Sequence, residues 1–508
     1  MGFFKTVSSL SVSAPKNNGE SHVISTATTA TDDSSSSFSF FSRTRLVILL
    51  LCTLCLSALQ SNVLTLNFTV ICMAGPRNES ITHSNSESEE LDSGRYDYSP
   101  SEKSMLFSMV AVGALAAIYP MMTLVDKFGT RWVTTGFGFI STISTAVIPL
   151  FAYWGYDWLL AARFAQGTAL CVVFTLIAIV TRQWSMHKQS AIFIAFFTCF
   201  FQFAPIFTMP VSGALCTSSL GWPSVYYLHA AITALFFSLF AYFYREQPCK
   251  HSLVSPKELE RIGRNKGNMA AASEPVPYKA MLSSLAVWSI WITGIGNFMG
   301  IQVTMQFTPT YLNKVMGFSI ESTGIFSSVP QIITFAVKML AGLLADKSDR
   351  FFPSQTFSVK FFNSLGIGGM GVFFFVQAFM PTSSPLLALV VLVCTTSVVS
   401  FNCGAFLRGS VLMAAQHNHF IMSVQSLINC ASALMTPVVV RAMVVENSYE
   451  EWRNVFLVFG VMLTVTNIVY CIFGTAEAAE WTRPGWRAKS SKINPAEGGI
   501  SKLKKDLY

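Results

Sequence analysis

The chain has 508 residues, of which 52% are hydrophobic and only 12% charged, with a mean hydropathy of +0.49. A chain this apolar cannot meet water over its whole surface, which excludes a soluble globular protein and leaves a polytopic membrane protein. Its net charge of +8 does not mark a nucleic-acid binder, because the basic residues sit in short loops between apolar runs.

Residues 1–42 are rich in Ser and Thr and poor in large apolar side chains, a composition that predicts a disordered tail. No cleavable signal peptide is evident, since the first apolar run begins only near Arg45 and is too long for one. Runs of about 20 apolar residues read as membrane spans. They fall near 46–73, 104–125, 132–153, 158–181, 190–215 and 223–244, then 285–312, 321–345, 357–380, 385–407, 418–444 and 453–474. The pattern predicts an all-α integral membrane fold of twelve helices: a first six-helix bundle over 43–244, a central loop over 245–284, a second bundle over 285–474 and a tail over 475–508. Within the central loop, SPKELERIG predicts a short helix with Ser255 as N-cap and Pro256 in its first turn.

With both termini and the central loop in the cytoplasm, 26 of the 34 Lys and Arg residues lie on that side and five outside, the positive-inside pattern. The outer loop 74–103 then carries seven acidic residues and the sequon at Asn78, a glycosylation acceptor. The sequon at Asn67 falls inside the first span. Eleven cysteines are scattered, mostly in apolar runs, with no metal-ligand spacing; they read as small apolar side chains, and neither a metal nor a cofactor is expected.

Arg163 stands inside the apolar run 156–181, where a fixed positive charge is expensive and commonly marks a transport path. The alternative is that its stem snorkels back over about eight residues, roughly 12 Å, to the interface. Lys338 is the second cation in a span, open to pairing or snorkelling at the nearby helix end or to a second anion contact. The two halves repeat one device: LVDKFGTRW after the second span and LLADKSDRF after the eighth. Asp126 with Lys127 and Arg131, and Asp346 with Lys347, are candidate gating clusters that latch helices on one membrane face and release them when the other opens. No Asp or Glu lies deep in any span, and His229 is the candidate proton relay, with a structural imidazole as the alternative. No nucleotide-binding loop occurs, so the chain is not read as an ATP-driven pump, nor as an enzyme.

The twin loops resemble those of the major facilitator superfamily. NFTVICM (67–73), RFAQG (163–167), GWPSVYYL (221–228), FTPTYLNKVMGFSIESTGIFSSVPQ (307–331), EEWRNVFLV (450–458) and FGTAEAAEW (473–481) narrow the resemblance to its anion:cation symporters, the family of sialin, the vesicular glutamate transporters and the sodium/phosphate cotransporters. The resemblance implies a secondary active or facilitative transporter of a small organic anion or inorganic phosphate, working by alternating access as a monomer in the plasma membrane or a vesicular or lysosomal membrane. The coupling ion is open between Na+, H+ and membrane potential alone. The chain departs from glutamate-transporting members at Thr65, Phe107, Leu170 and Gly300, where those carry arginine, histidine, glutamate and arginine. A receptor or scaffold that kept the fold without transport is the alternative these losses leave open.

An anion in a low-dielectric path needs a fixed positive partner, and a guanidinium offers a permanently charged planar fork to carboxylate or phosphate. Arg163 takes that role, with Asn67, Asn297, Gln302, Gln306 and Tyr311 as surrounding substrate-binding candidates. Gln302 and Gln306, four apart, share a helix face.

Overall fold

A computed structural model describes residues 43–73, 98–186, 190–263, 277–347, 351–414 and 417–482. The tail 1–42, the Asn78 sequon and Arg350 lie outside these residues, as do the side chains of Asp346 and Lys347. The described chain is almost entirely helical. The first bundle holds α1 (Thr44–Met73), then α2 and α3, the two limbs of a continuous helix Pro100–Trp154 that turns at Gly129. There follow α4 (Tyr156–Thr168, a 3-10 turn Ala169–Cys171, then Val172–Trp184), α5 (Ser190–Phe197 and Phe200–Thr217) and α6 (Pro223–Phe243).

The second bundle holds α7 (Leu285–Lys314), α8 (Ile320–Lys347) and α9 (Gln355–Asn363, a π-turn Ser364–Gly368, then Gly369–Ala378). It closes with α10 (Pro385–Val398, a 3-10 turn Val399–Gly404, then Phe406–Ala414), α11 (Asn418–Met443) and α12 (Tyr449–Phe473). Each half thus shows six helical stretches among the described residues, where ten helices, counting Pro100–Trp154 as one, are long and apolar enough to cross a membrane. We call the membrane face where α1 starts the proximal face and the opposite one the distal face.

Several ends are set by local chemistry. Ser99 and Ser448 begin α2 and α12 as capping boxes with Glu102 and Glu451, so α12 starts four residues before its apolar run. Gly129 carries a left-handed φ of 78°, and a Cβ there would meet the Glu246 carboxylate, so only glycine makes this turn. One expectation is corrected: two of the cysteines are not merely small apolar side chains. Cys72 and Cys216 form a disulfide that ties the distal end of α1 to that of α5. Sequence reading had no signal for it because the partners stand 144 residues apart.

The central loop folds back on the first bundle at the proximal face. Ser255 Oγ accepts from the Glu258 amide at 3.3 Å, starting the short helix Pro256–Gly263 as expected. Glu258, 1% exposed, then accepts from the Thr44 and Arg45 amides at 3.2 and 3.0 Å, capping α1 from outside its own sequence. The Thr44 hydroxyl donates to the Leu253 carbonyl and the Trp184 indole to the Arg245 carbonyl, so the strap joins α1, α4 and α6.

Candidate functional site

Close backbone approach builds the environment of Arg163. Gly113 of α2 and Gly167 of α4 let the two helices touch main chain to main chain: a Cβ on Gly167 would lie 2.0 Å from the Val110 carbonyl oxygen, and one on Gly113 2.2 Å from that of Phe164. This proximity lets Arg163 Nε donate to the Leu106 carbonyl of α2 at 3.2 Å, while Nη1 donates to the Val63 carbonyl of α1 at 3.1 Å and to Gln166 Oε1 at 2.6 Å. The side chain is 1% exposed and sealed inside the bundle, so the snorkelling geometry is not adopted. Every acceptor is a neutral oxygen. Among the described residues, Nη2 makes no hydrogen bond and no carboxylate answers the charge.

Gln166 extends this centre. Its amide donates to Thr145 Oγ1 at 2.7 Å and to the Asn62 carbonyl at 3.1 Å; Asn62 in turn donates to Ser141 Oγ and accepts from Thr233 Oγ1. Five helices of the first bundle thus meet in one polar network. Sequence reasoning missed Gln166, Asn62, Thr145, Ser141 and Thr233. Only Gln166 carried a usable signal, standing three residues after Arg163 and so on its helix face.

The other expected residues fall into two groups. Asn67 lies one turn distal to Val63 on α1, 2% exposed, with Nδ2 buried and unpartnered among the described residues. Gln306 donates to Gln302 Oε1 at 2.9 Å and keeps its own Oε1 buried without a donor. The next residue, Phe307, meets Phe107 edge-on at 5.8 Å, and Phe107 adjoins Leu106, whose carbonyl holds Arg163. The aromatic contact sets α7 against α2 at the level of Arg163, while no hydrogen bond among the described residues joins Arg163 or Asn67 to Gln302 or Gln306. Asn297 and Tyr311 turn instead into the second bundle, Asn297 accepting from Asn402 Nδ2 at 2.5 Å and the Tyr311 hydroxyl from Gln377 at 2.9 Å. His229 is buried, its Nδ1 2.7 Å from the Val225 carbonyl and Nε2 without a partner among the described residues.

At Thr65, Phe107 and Gly300 the second turn of the comparison with glutamate-transporting members becomes physical. The Thr65 hydroxyl donates to the Asn62 carbonyl, Phe107 packs on Phe307, and a Cβ on Gly300 would meet Met370 and Leu463 inside the second bundle.

The first gating cluster forms no latch to the second bundle among the described residues. Asp126 and Lys127 are exposed, and Asp126 reaches no described residue. Arg131 donates instead to the Ala241 carbonyl at the end of α6, stays within its own bundle, and lies over the Trp132 ring at 4.8 Å. Lys338 does cross between bundles: its Nζ donates to the Thr198 carbonyl and to Gln202 Oε1, both at 3.3 Å. The Thr198 carbonyl sits at the break between the segments of α5, the negative end of the segment Ser190–Phe197.

The chain matches the Major Facilitator Superfamily over residues 46–437 and belongs to that superfamily of membrane transporters. It is 25% identical over 417 residues to a putative inorganic phosphate cotransporter of Drosophila melanogaster, covering 78% of this chain and 76% of the relative. It is 24% identical to sodium-dependent phosphate transport protein 1 of Oryctolagus cuniculus, over 87% of this chain and 96% of that protein, and 23% identical to sialin of Ovis aries, over 68% and 70%. Among solved structures, the partially occluded, inward-open xylose transporter XylE from E. coli superposes with a TM-score of 0.60 at 16% identity, covering 85% of this chain and 98% of that one. A bacterial homologue of the human lysosomal transporter Spinster gives 0.61 at 15% identity, over 86% and 97%. These relationships establish a transporter; the receptor alternative finds no support in them.

Proposed function

We propose that the protein carries a small anion, an organic carboxylate or inorganic phosphate, with Arg163 as its counter-charge. The observation that carries this reading is a sealed guanidinium held only by neutral oxygens, which leaves a whole positive charge for a ligand to answer. Nη2 of Arg163, which takes no part in the bonds to Leu106, Val63 and Gln166, and the unpartnered Nδ2 of Asn67 are the donors an incoming oxyanion would take up. Relatives named for phosphate and urate transport, and sialin, support the anion class.

The proximal face is cytoplasmic in this reading, because most Lys and Arg residues flank it. Distal contacts hold the bundles together at Phe107–Phe307, at the Ser108 hydroxyl on the Leu434 carbonyl, and where Gly213 of α5 meets Gly324 of α8. The exposed Asp126 and Lys127 fit a path that opens toward the cytoplasm. Rocking of the bundles about Arg163 would then expose the anion to each face in turn.

Uptake of labelled phosphate, sialic acid, aspartate, glutamate and urate into proteoliposomes tests the proposal. One of these is expected to enter, with flux falling by about a hundredfold in Arg163→Ala, the scale of losing a buried charge-assisted contact. Equal flux in wild type and Arg163→Ala, or intact protein that moves none of the five, overturns it.

A further inference from the structure

We infer that Lys338 is the proximal pivot of the bundle movement: its ammonium pins α8 of the second bundle to the break in α5 of the first, and the distal seam parts about that point. The inference rests on the alternating-access reading of the fold and draws nothing from Arg163 or from the anion. Lys338 is half-buried, and its Nζ donates to the Thr198 carbonyl and to Gln202 Oε1, both at 3.3 Å and both in the opposite bundle.

The contacts along the α5–α8 seam differ in kind from one end to the other. Distally Gly213 meets Gly324, where a Cβ on Gly324 would lie 3.0 Å from the Gly213 Cα, and further along the Phe203 and Phe335 rings stand 5.2 Å apart. Thr198 lies 15 residues before Gly213 and Lys338 lies 14 after Gly324, so the antiparallel helices keep one register over about 22 Å of rise. Glycine and ring contacts part by losing short-range dispersion alone, whereas an ammonium pulled off its oxygens loses bonds made to a charge. The Lys338 bonds are therefore the last of the seam to yield. At the other end the Cys72–Cys216 disulfide ties α5 to α1, so a parting distal seam carries α5 away with the first bundle.

The break in α5 supplies the bearing on which Lys338 sits. Thr198 and Cys199 separate Ser190–Phe197 from Phe200–Thr217, and their side chains bond back to the Ala195 carbonyl at 2.9 and 3.2 Å, a local competition that loosens a helix. The amide of Gln202 then turns to the Cys199 carbonyl at 2.9 Å, as does that of Phe203, rather than to Thr198. Of the main-chain amides only that of Phe201 reaches the Thr198 oxygen, at 3.4 Å, and Lys338 takes the capacity this leaves. Proximal to the break, Phe193 and Phe197 are 1% and 0% exposed within the core of the first bundle, so the bearing is anchored there.

The test measures distances between spin labels in the purified full-length protein in lipid nanodiscs, with the labels carried by unnatural amino acids so that the chain's own cysteines stay in place. One pair, at Ala195 and Leu344, flanks the pin; the other, at Thr217 and Ile320, flanks the distal seam. Lys338→Met keeps the stem and removes the charge; it is expected to lengthen and broaden the proximal distances while the distal ones keep their wild-type distribution. Lys338→Arg, which keeps a charged donor of similar reach, should restore the proximal distances. Gln202→Leu removes one of the two acceptors; it should broaden the proximal distances in part, and it serves if Lys338→Met does not fold. Gly324→Leu should lengthen the distal distances and leave the proximal ones unchanged, the signature of a pivot rather than of bundles that separate as a whole. Proximal distances unchanged in both Lys338→Met and Gln202→Leu, or lengthening in step with the distal ones in Gly324→Leu, overturn the pivot, while Arg163-dependent uptake would survive either result.

Discussion

Arg163 shows how one residue's meaning depends on its neighbours' smallness. Its reach to the Leu106 carbonyl exists because Gly113 and Gly167 bring α2 and α4 into main-chain contact. Gly167→Val places a side chain where a Cβ alone would be 2.0 Å from the Val110 oxygen, so the helices must separate. A loss of about 3 kcal/mol is expected, read as a lowered midpoint of thermal unfolding in detergent. Uptake should fall with it, since the separation withdraws the acceptor that orients the guanidinium. A midpoint equal to wild type would show that this contact does not position Arg163. Arginine in an apolar run was legible in the sequence; the glycine beside it was visible too, but only the packing shows which helix it admits.

At the scale of elements, the strap after α6 makes the proximal end of the first bundle sensitive to pH. His251 accepts from the Leu253 amide at Nδ1, 3.2 Å, and its Nε2 donates to the Phe243 carbonyl at 3.1 Å, an arrangement that only the neutral imidazole satisfies. Burial lowers its pKa below the ordinary 6.5; the Phe243 carbonyl partly opposes this and Arg245 adds to it. A folded value below the unfolded one means the native state binds fewer protons. Stability is therefore complete above about pH 6.5 and declines as the pH falls toward the lowered folded value. Thermal unfolding between pH 5 and 7.5 should show this decline, roughly, and His251→Gln should flatten it; an identical slope in both would place the sensitivity elsewhere. Glu258→Gln should cost about 1 kcal/mol by weakening the cap on α1. The sequence predicted the strap's helix and its N-cap correctly, yet gave no sign that its glutamate caps α1 more than 200 residues away.

Across the whole molecule, two bundles meet along α5 and α8, where Gly213 and Gly324 pack at the distal end and Lys338 bridges to the α5 break at the proximal end. A Cβ on Gly324 would stand 2.7 Å from the Met209 carbonyl oxygen, so Gly324→Leu should wedge the distal seam apart. Electron–electron distance measurements between spin labels at Thr217 and Ile320 are expected to lengthen in that variant relative to wild type. An unchanged distance distribution would mean that the glycine contact does not hold the distal face closed.

What the sequence determined alone is what hydropathy and charge govern locally: twelve spans in two sets of six, the side bias of Lys and Arg, and a guanidinium where no ordinary packing asks for one. Burial in a bilayer acts on each run of about 20 residues by itself, so no partner is needed to read it. The tertiary structure alone decided what depends on residues far apart in the chain. It paired Cys72 with Cys216, bound Arg163 to carbonyls of α1 and α2, and turned Asn297 and Tyr311 away from the interface between bundles. In each case the deciding quantity is which main-chain or amide group lies opposite across a helix seam, and that is fixed by packing angle and register rather than by the composition of either helix.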